Sequence, residues 1–216
     1  MSINVIIADD HAIVREGVKA VLKVDRDIHV IGEASNGKEV IRMARENPAA
    51  VYLLDISMPL LNGIETTLRL VRMNPKNKVI ILSMYDDRAS VAKAMENGAM
   101  GYLVKETAMD EVVNAIHEVC CHRFYLSSRI SKYIVDGFLG GRRRGKYTAI
   151  CGNLSSREKE VLQLIAEGFS SKEISVQMRI VLGTVQTHRK NIMRKLDIHK
   201  QADLVRFALK EKLTQL

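Results

Sequence analysis

The chain has 216 residues, 47% hydrophobic and 27% charged, with a net charge of +8, which suits an ordinary globular protein of one or two cored domains. No apolar run reaches the roughly 18 residues of a membrane helix, and the opening MSINVIIADD lacks the basic start and long apolar stretch of a secretory signal. Cys120, Cys121 and Cys151 are too few and too unevenly placed for a disulfide framework, so a cytoplasmic protein without membrane contact is expected.

Taken in chain order, the first half alternates strand-like and helix-like text. The apolar runs are INVIIA (3–8), IHVIGEA (28–34), VYLL (51–54), VIILSM (79–84) and GYLV (101–104). Between and after them lie AIVREGVKAVL, GKEVIRMARE, GIETTLRLVRM, RASVAKAMENG and MDEVVNAIHEVCC, each with helical periodicity. Five such alternations predict an α/β domain, a doubly wound five-stranded parallel sheet with helices on both faces. Ligands of that architecture sit outside the carboxyl ends of the strands.

The residues just past the apolar runs are polar. Asp9 and Asp10 follow the first, Asp55 the third, Ser83 ends the fourth and Lys105 follows the fifth. Three carboxylates at one edge repel one another unless a cation neutralises them. A magnesium ion fits, held by Asp9, Asp10, Asp55 and the backbone carbonyl near Ser57, with water and an incoming phosphate completing its shell. Lys105 offers charge to phosphate oxygens and Ser83 offers a hydroxyl donor, so the set suits phosphoryl transfer to Asp55 as nucleophile. A plainer alternative is that each Asp caps a following helix and Ser83 is a loop hydroxyl.

The ADDH after the first run, the stretch DISMPLLNG from Asp55 to Gly63, the serine of the fourth run and GYLVK ending at Lys105 together resemble the receiver domain of two-component response regulators, over about 120 residues. The resemblance implies a CheY-like fold with Asp55 as phosphoacceptor, Asp9 and Asp10 on magnesium and Lys105 on the phosphoryl group. Ser83 and Tyr102 would be the switch pair, the hydroxyl turning to the phosphate and the ring moving inward behind it. It also implies a sensor histidine kinase as phosphoryl donor, and no enzyme activity beyond phosphoryl acceptance and self-dephosphorylation.

The receiver is expected over residues 1–125, and a linker over 126–153. The linker has a helical start, SRISKYIVDGF, and then the basic, glycine-interrupted LGGRRRGKYTAICGN. Charge divides with it: residues 1–125 hold 15 Lys/Arg against 17 Asp/Glu, and residues 126–216 hold 18 against 8. A polyanion partner is expected at the C-terminal end alone.

An all-α domain is expected over 154–216. Ser155 with Glu158 forms a capping-box signature and Gly168 closes that helix. Ser170 or Ser171 starts the short KEISVQM helix, and TVQTHRKNIMRKL and KQADLVRFALKEKL make the third and fourth. Short helix, turn and longer basic helix form a helix-turn-helix, whose partner is double-stranded DNA. On the third helix Val185, Ile192 and Leu196, with Met193 beside them, share one face. Gln186, Thr187 and Lys190 are the base-contact candidates. Lys172, Thr184, Arg189, Arg194 and Lys195 suit phosphates, which fix register without reading sequence.

LSSREKEVL, AEGFSSKEI and TVQTHRKNIMRKL resemble the LuxR-type four-helix DNA-binding domain, so the whole chain is similar to a NarL/FixJ-type response regulator. The resemblance implies a homodimer on activation, paired through Leu204, Val205, Ala208 and Leu209 of the last helix, although core packing also explains part of that stripe. RNA polymerase is a further partner in that setting. One departure stands out: where the family shows a small hydroxyl cap before Thr184, this chain has Val181, Leu182 and Gly183, which predicts a third helix frayed at its start or begun one residue late.

Two other readings remain beside a phosphorylation-controlled transcription regulator. A phosphohydrolase of the haloacid dehalogenase type would want an acid two residues after Asp55, where Ser57 stands. The other keeps DNA binding without phosphate control. A soft-metal site at His117, Cys120, Cys121 and His122 lacks an evident fourth ligand of suitable geometry, and buried cysteines are common in helix cores.

Overall fold

The computed structural model describes residues 2–131 and 154–214. The chain divides into two compact units. Linker residues 132–153, including the whole basic stretch and most of the expected helical start, lie outside the described residues.

The first unit is a parallel sheet wound with helices on both faces. Its elements run β1 (Ile3–Ala8), α1 (Ala12–Leu22), β2 (Ile28–Ala34), α2 (Gly37–Glu46), β3 (Val51–Asp55), α3 (Gly63–Met73), β4 (Lys78–Ser83), α4 (Arg88–Glu96), β5 (Gly101–Val104), α5 (Ala108–Cys120) and β6 (Tyr125–Leu126). The sheet order is β2-β1-β3-β4-β5-β6. Central β3 is buried at every residue because helices cover both its faces, which is why it reads as an unbroken apolar run. Ile6, Tyr52, Leu54, Ile81 and Tyr102 pack on one face with Val40, Leu70 and Val91. On the other, Val5, Ile7, Leu53 and Leu103 pack with Val18, Leu22, Val112 and Ile116.

The sheet has six strands, not the expected five. Tyr125 and Leu126 pair in parallel with Gly101 and Tyr102, so β5 is not left with an open edge. The expected receiver boundary at residue 125 therefore cuts a strand. The first unit continues into a helical turn over 128–131, where Ile130 is buried in the same core as Tyr102 and Leu126.

The second unit is four helices, α6 (Ser156–Ala166), α7 (Ser171–Met178), α8 (Leu182–Leu196) and α9 (Gln201–Lys210). Ser155 with Glu158, and Ser170 with Glu173, close complete capping boxes that start α6 and α7. Gly168 takes φ +90°, a left-handed turn after α6 that a side chain would strain. Val161, Leu164, Ile165, Ile174, Val185, Ile192, Leu204 and Ala208 form the core.

Helix α8 starts at Leu182, earlier than expected, so Leu182 and Gly183 are its first helical residues. The missing cap is real: Val181 has extended cap geometry and makes no side-chain cap bond. The backbone nonetheless closes, with Thr184 N donating to Val181 O at 3.0 Å.

Candidate phosphoacceptor pocket and nucleic-acid face

The ends of β1, β3, β4 and β5 bring four of the sequence-selected groups together. Asp55 closes β3, level with Leu82 of β4, and Ser83 is level with Val104 of β5. Lys105 follows at once, its amide donating to Ser83 O at 2.8 Å. Its ammonium then reaches back across the sheet edge, 2.6 Å from Asp9 Oδ2 and 2.9 Å from Asp55 Oδ1. One cation is thus shared by two buried carboxylates and offsets only part of their charge there.

The helix-capping alternative does not hold for these acids. Asn62 caps α3 through Glu65 N, Asp87 caps α4 through Ser90 N, and His11 occupies the cap position of α1. Asp55 is instead oriented by its own loop. Ser57 N donates to Asp55 Oδ2 at 3.0 Å, and Gly63 N returns to Ile56 O at 2.9 Å. A Cβ on Gly63 would lie 2.0 Å from Asp55 O, so only glycine lets the loop fold back this tightly.

Burial raises the Asp55 carboxyl above its ordinary range, with the Asp9 and Asp10 charges adding to the shift and Lys105 opposing it. Burial works against the Lys105 charge, but Asp55 and Asp9 outweigh it and hold the ammonium above its usual value. A carboxylate whose ionisation burial resists, as at Asp55, calls for more positive charge, and oxygen donors suit a hard divalent cation. The donor set fits magnesium: Asp9 and Asp55 share Lys105, and the buried Ser57 Oγ has no hydrogen-bond partner among the described residues.

Two neighbours escaped the sequence reading. His11 Nδ1 lies 2.8 Å from Asp10 Oδ1 and 3.2 Å from Asp9 Oδ1, and with them forms a group able to approach one ion. Arg15 Nη1 donates to Asp9 O at 2.7 Å, fixing the loop after β1. The only signals for them were adjacency in ADDH and a helical turn's spacing.

Ser83 is buried, and its hydroxyl accepts from Tyr85 N at 3.0 Å. The Tyr102 ring is wholly buried, its hydroxyl donating to Tyr85 O at 2.7 Å, and burial raises its pKa. The expected inward movement of this ring therefore has no distance left to run in this conformation. Tyr85 bonds both hydroxyls through its backbone.

In the second unit α8 packs Val185 and Ile192 and leaves Gln186, Thr187, Lys190 and Arg194 exposed, with Thr184 and Arg189 half-buried; Lys172 on α7 is exposed. Thr187 Oγ1 donates to Gly183 O at 2.9 Å, which leaves its lone pairs and methyl for a ligand. Arg189 donates to Gln201 and Arg194 to Asn191. Lys195 differs from the rest: its ammonium lies 2.7 Å from Glu158 Oε2, the carboxylate that also caps α6. That pairing ties α8 to α6 and competes with the phosphate contact expected of it. The dimerisation stripe is limited in a like way. Leu204 and Ala208 are fully buried in the unit's own core, and only Val205 and Leu209 remain part-exposed.

The HEVCCH group does not assemble. His117 pairs with Asp25 at 2.7 Å, Cys120 is half-buried with its thiol raised by burial, and Cys121 is exposed. Among the described residues the Asp9, Asp10 and His11 group is the one with metal-ligating spacing. No described helix is long and apolar enough to cross a membrane.

Residues 5–117 match the response regulator receiver domain family, and residues 152–208 match the bacterial regulatory proteins of the luxR family. Over 213 residues the chain is 33% identical to the oxygen regulatory protein NreC of Staphylococcus carnosus, covering 97% of this chain and 98% of that one. Among solved structures, RcsB of Salmonella typhimurium aligns with TM-score 0.60 and 26% identity over 97% of this chain and 98% of that one, and RcsB in complex with DNA aligns equally well. ChrA, the response regulator of a heme-sensing two-component system, aligns with TM-score 0.53 and 30% identity over 98% of both chains.

Proposed function

The chain belongs to the response regulators that join a receiver to a luxR-family DNA-binding domain, a two-component regulator of transcription, and from that premise we propose that phosphorylation of Asp55 governs its DNA binding. The observation that carries the proposal is the Lys105 ammonium seated between Asp9 and Asp55 at the carboxyl edge of the sheet.

An Asp55 oxygen attacks the phosphorus of a phosphohistidine on a sensor kinase. The new O–P bond forms as the P–N bond breaks, and the imidazole leaves with the electron pair. Asp9, Asp10 and Asp55 would hold magnesium, which when bound supplies positive charge to the transferring phosphoryl group. Lys105 exchanges part of its pairing with Asp55 for the phosphoryl oxygens. Ser83 turns its hydroxyl from Tyr85 N toward the same oxygens. The product adds close to two negative charges at one point, enough to bias a two-state surface built from the loops after β4 and β5.

The output is double-stranded DNA binding as a homodimer in the cytoplasm, with Gln186, Thr187 and Lys190 toward bases and Lys172, Thr184, Arg189 and Arg194 toward phosphates. With Leu204 and Ala208 inside the core, pairing through the last helix falls to Val205 and Leu209. RNA polymerase is the partner through which a bound dimer would act on transcription.

Labelled acetyl phosphate with magnesium should place label on the wild type and none on Asp55→Asn. Beryllofluoride should raise both dimerisation and affinity for a DNA fragment selected from random sequence. Unchanged dimerisation and affinity would leave a DNA-binding protein without phosphate control.

A further inference from the structure

The sixth strand and the turn after it meet the pocket's moving parts at three points. Ser127 N donates to Tyr102 O at 3.0 Å, so the chain leaving β6 is bonded to the backbone of the switch tyrosine. Ile130 is buried in the core that holds Tyr102 and Val104. Arg129, between them, spreads its guanidinium over two loops: Nε lies 2.9 Å from Asp86 Oδ2 and Nη1 lies 2.8 Å from Glu106 Oε2.

Those acids are placed where the signal would pass. Asp86 is three residues beyond Ser83, next to Tyr85, whose amide and carbonyl hold the Ser83 and Tyr102 hydroxyls. Glu106 directly follows Lys105. A phosphoryl group that draws the backbone at Ser83 and Lys105 inward carries Asp86 and Glu106 with it, because two residues separate Ser83 from Asp86 and none separates Lys105 from Glu106. A planar guanidinium holds its Nε and Nη donors at a fixed spacing on two edges, so its fit to both carboxylates depends on how far apart the two loops stand.

We infer that residues 125–131 are the element by which the receiver pocket moves the start of the chain leading to the DNA-binding domain, and that Arg129 reads the relative position of the two pocket loops. The inference rests on phosphate control through Asp55. Arg129 touches no reacting atom and acts downstream of phosphoryl acceptance.

The test uses the full-length protein, with labelling by acetyl phosphate and the ratio of DNA affinities with and without beryllofluoride as separate readouts. Arg129→Ala, and Asp86→Asn with Glu106→Gln, should label as the wild type does and melt at the same temperature. In both, the affinity ratio should fall toward one from the roughly 5- to 150-fold span typical of coupled sites. Arg129→Lys keeps the charge without the fixed spacing of two donors and should leave the ratio low. A wild-type ratio in Arg129→Ala, or full recovery in Arg129→Lys, overturns the role given to the bridge. A wild type that itself fails to respond to beryllofluoride overturns phosphate control, and the two failures are thereby told apart.

Discussion

At the scale of the residue, Asp55 is held in a contest between burial, which resists its charge, and Lys105, which supports it. Its native carboxyl titrates above the ordinary value of 3.8, so the folded state binds that proton more tightly than the unfolded chain does. The contribution to stability is then fully present below pH 3.8 and is lost as pH rises through the native value. Asp55→Asn should therefore be more stable than the wild type at pH 7 without magnesium. The difference should shrink as pH falls toward 4, read by urea unfolding at each pH. Magnesium should narrow the gap at pH 7, because a cation favours the ionised carboxylate. A gap that widens on acidification would contradict the assigned direction.

The elements show how far local pattern carries. Ser155, Ser170 and Val181 start three successive helices with nearly the same backbone: φ −67°, −69° and −69°, and ψ 160°, 160° and 149°. The first two accept a hydrogen bond from the helix and the third has nothing to accept with. Tertiary packing of Val185 and Ile192 compensates, which is why α8 begins at Leu182 despite the poor start. Val181→Ser should raise the stability of the DNA-binding unit by about 1 kcal/mol, since the backbone already has cap geometry. Denaturant midpoints measure it, and exchange of the Gly183 and Thr184 amides, which a cap hydroxyl would accept from, should slow.

At the scale of the whole molecule, the basic excess of the C-terminal part is a statement about salt. Each phosphate contact removed should lower the slope of log affinity against log salt by about 0.9. Lys172→Met and Arg194→Met should each do so. Lys195→Met should leave the slope unchanged while costing about 1 kcal/mol of stability, because its charge is spent on Glu158. A slope change in Lys195→Met would return it to the phosphate set.

The sequence by itself determined the alternation of β1 to β5 with their helices, the capping box of α6, the serine start of α7, and which polar residues stand at the strand ends. Each of these is written locally, as a period, a cap three residues from its partner, or a polar residue covalently next to an apolar run. Only the tertiary structure decided that Tyr125 and Leu126 form a strand, that Lys195 faces Glu158, that Leu204 and Ala208 lie inside, and that Arg129 spans Asp86 and Glu106. A two-residue strand has too few positions to show a period. An ion pair between residues 23 or 37 positions apart has no sequence spacing of its own, because the fold, not the chain, sets that distance.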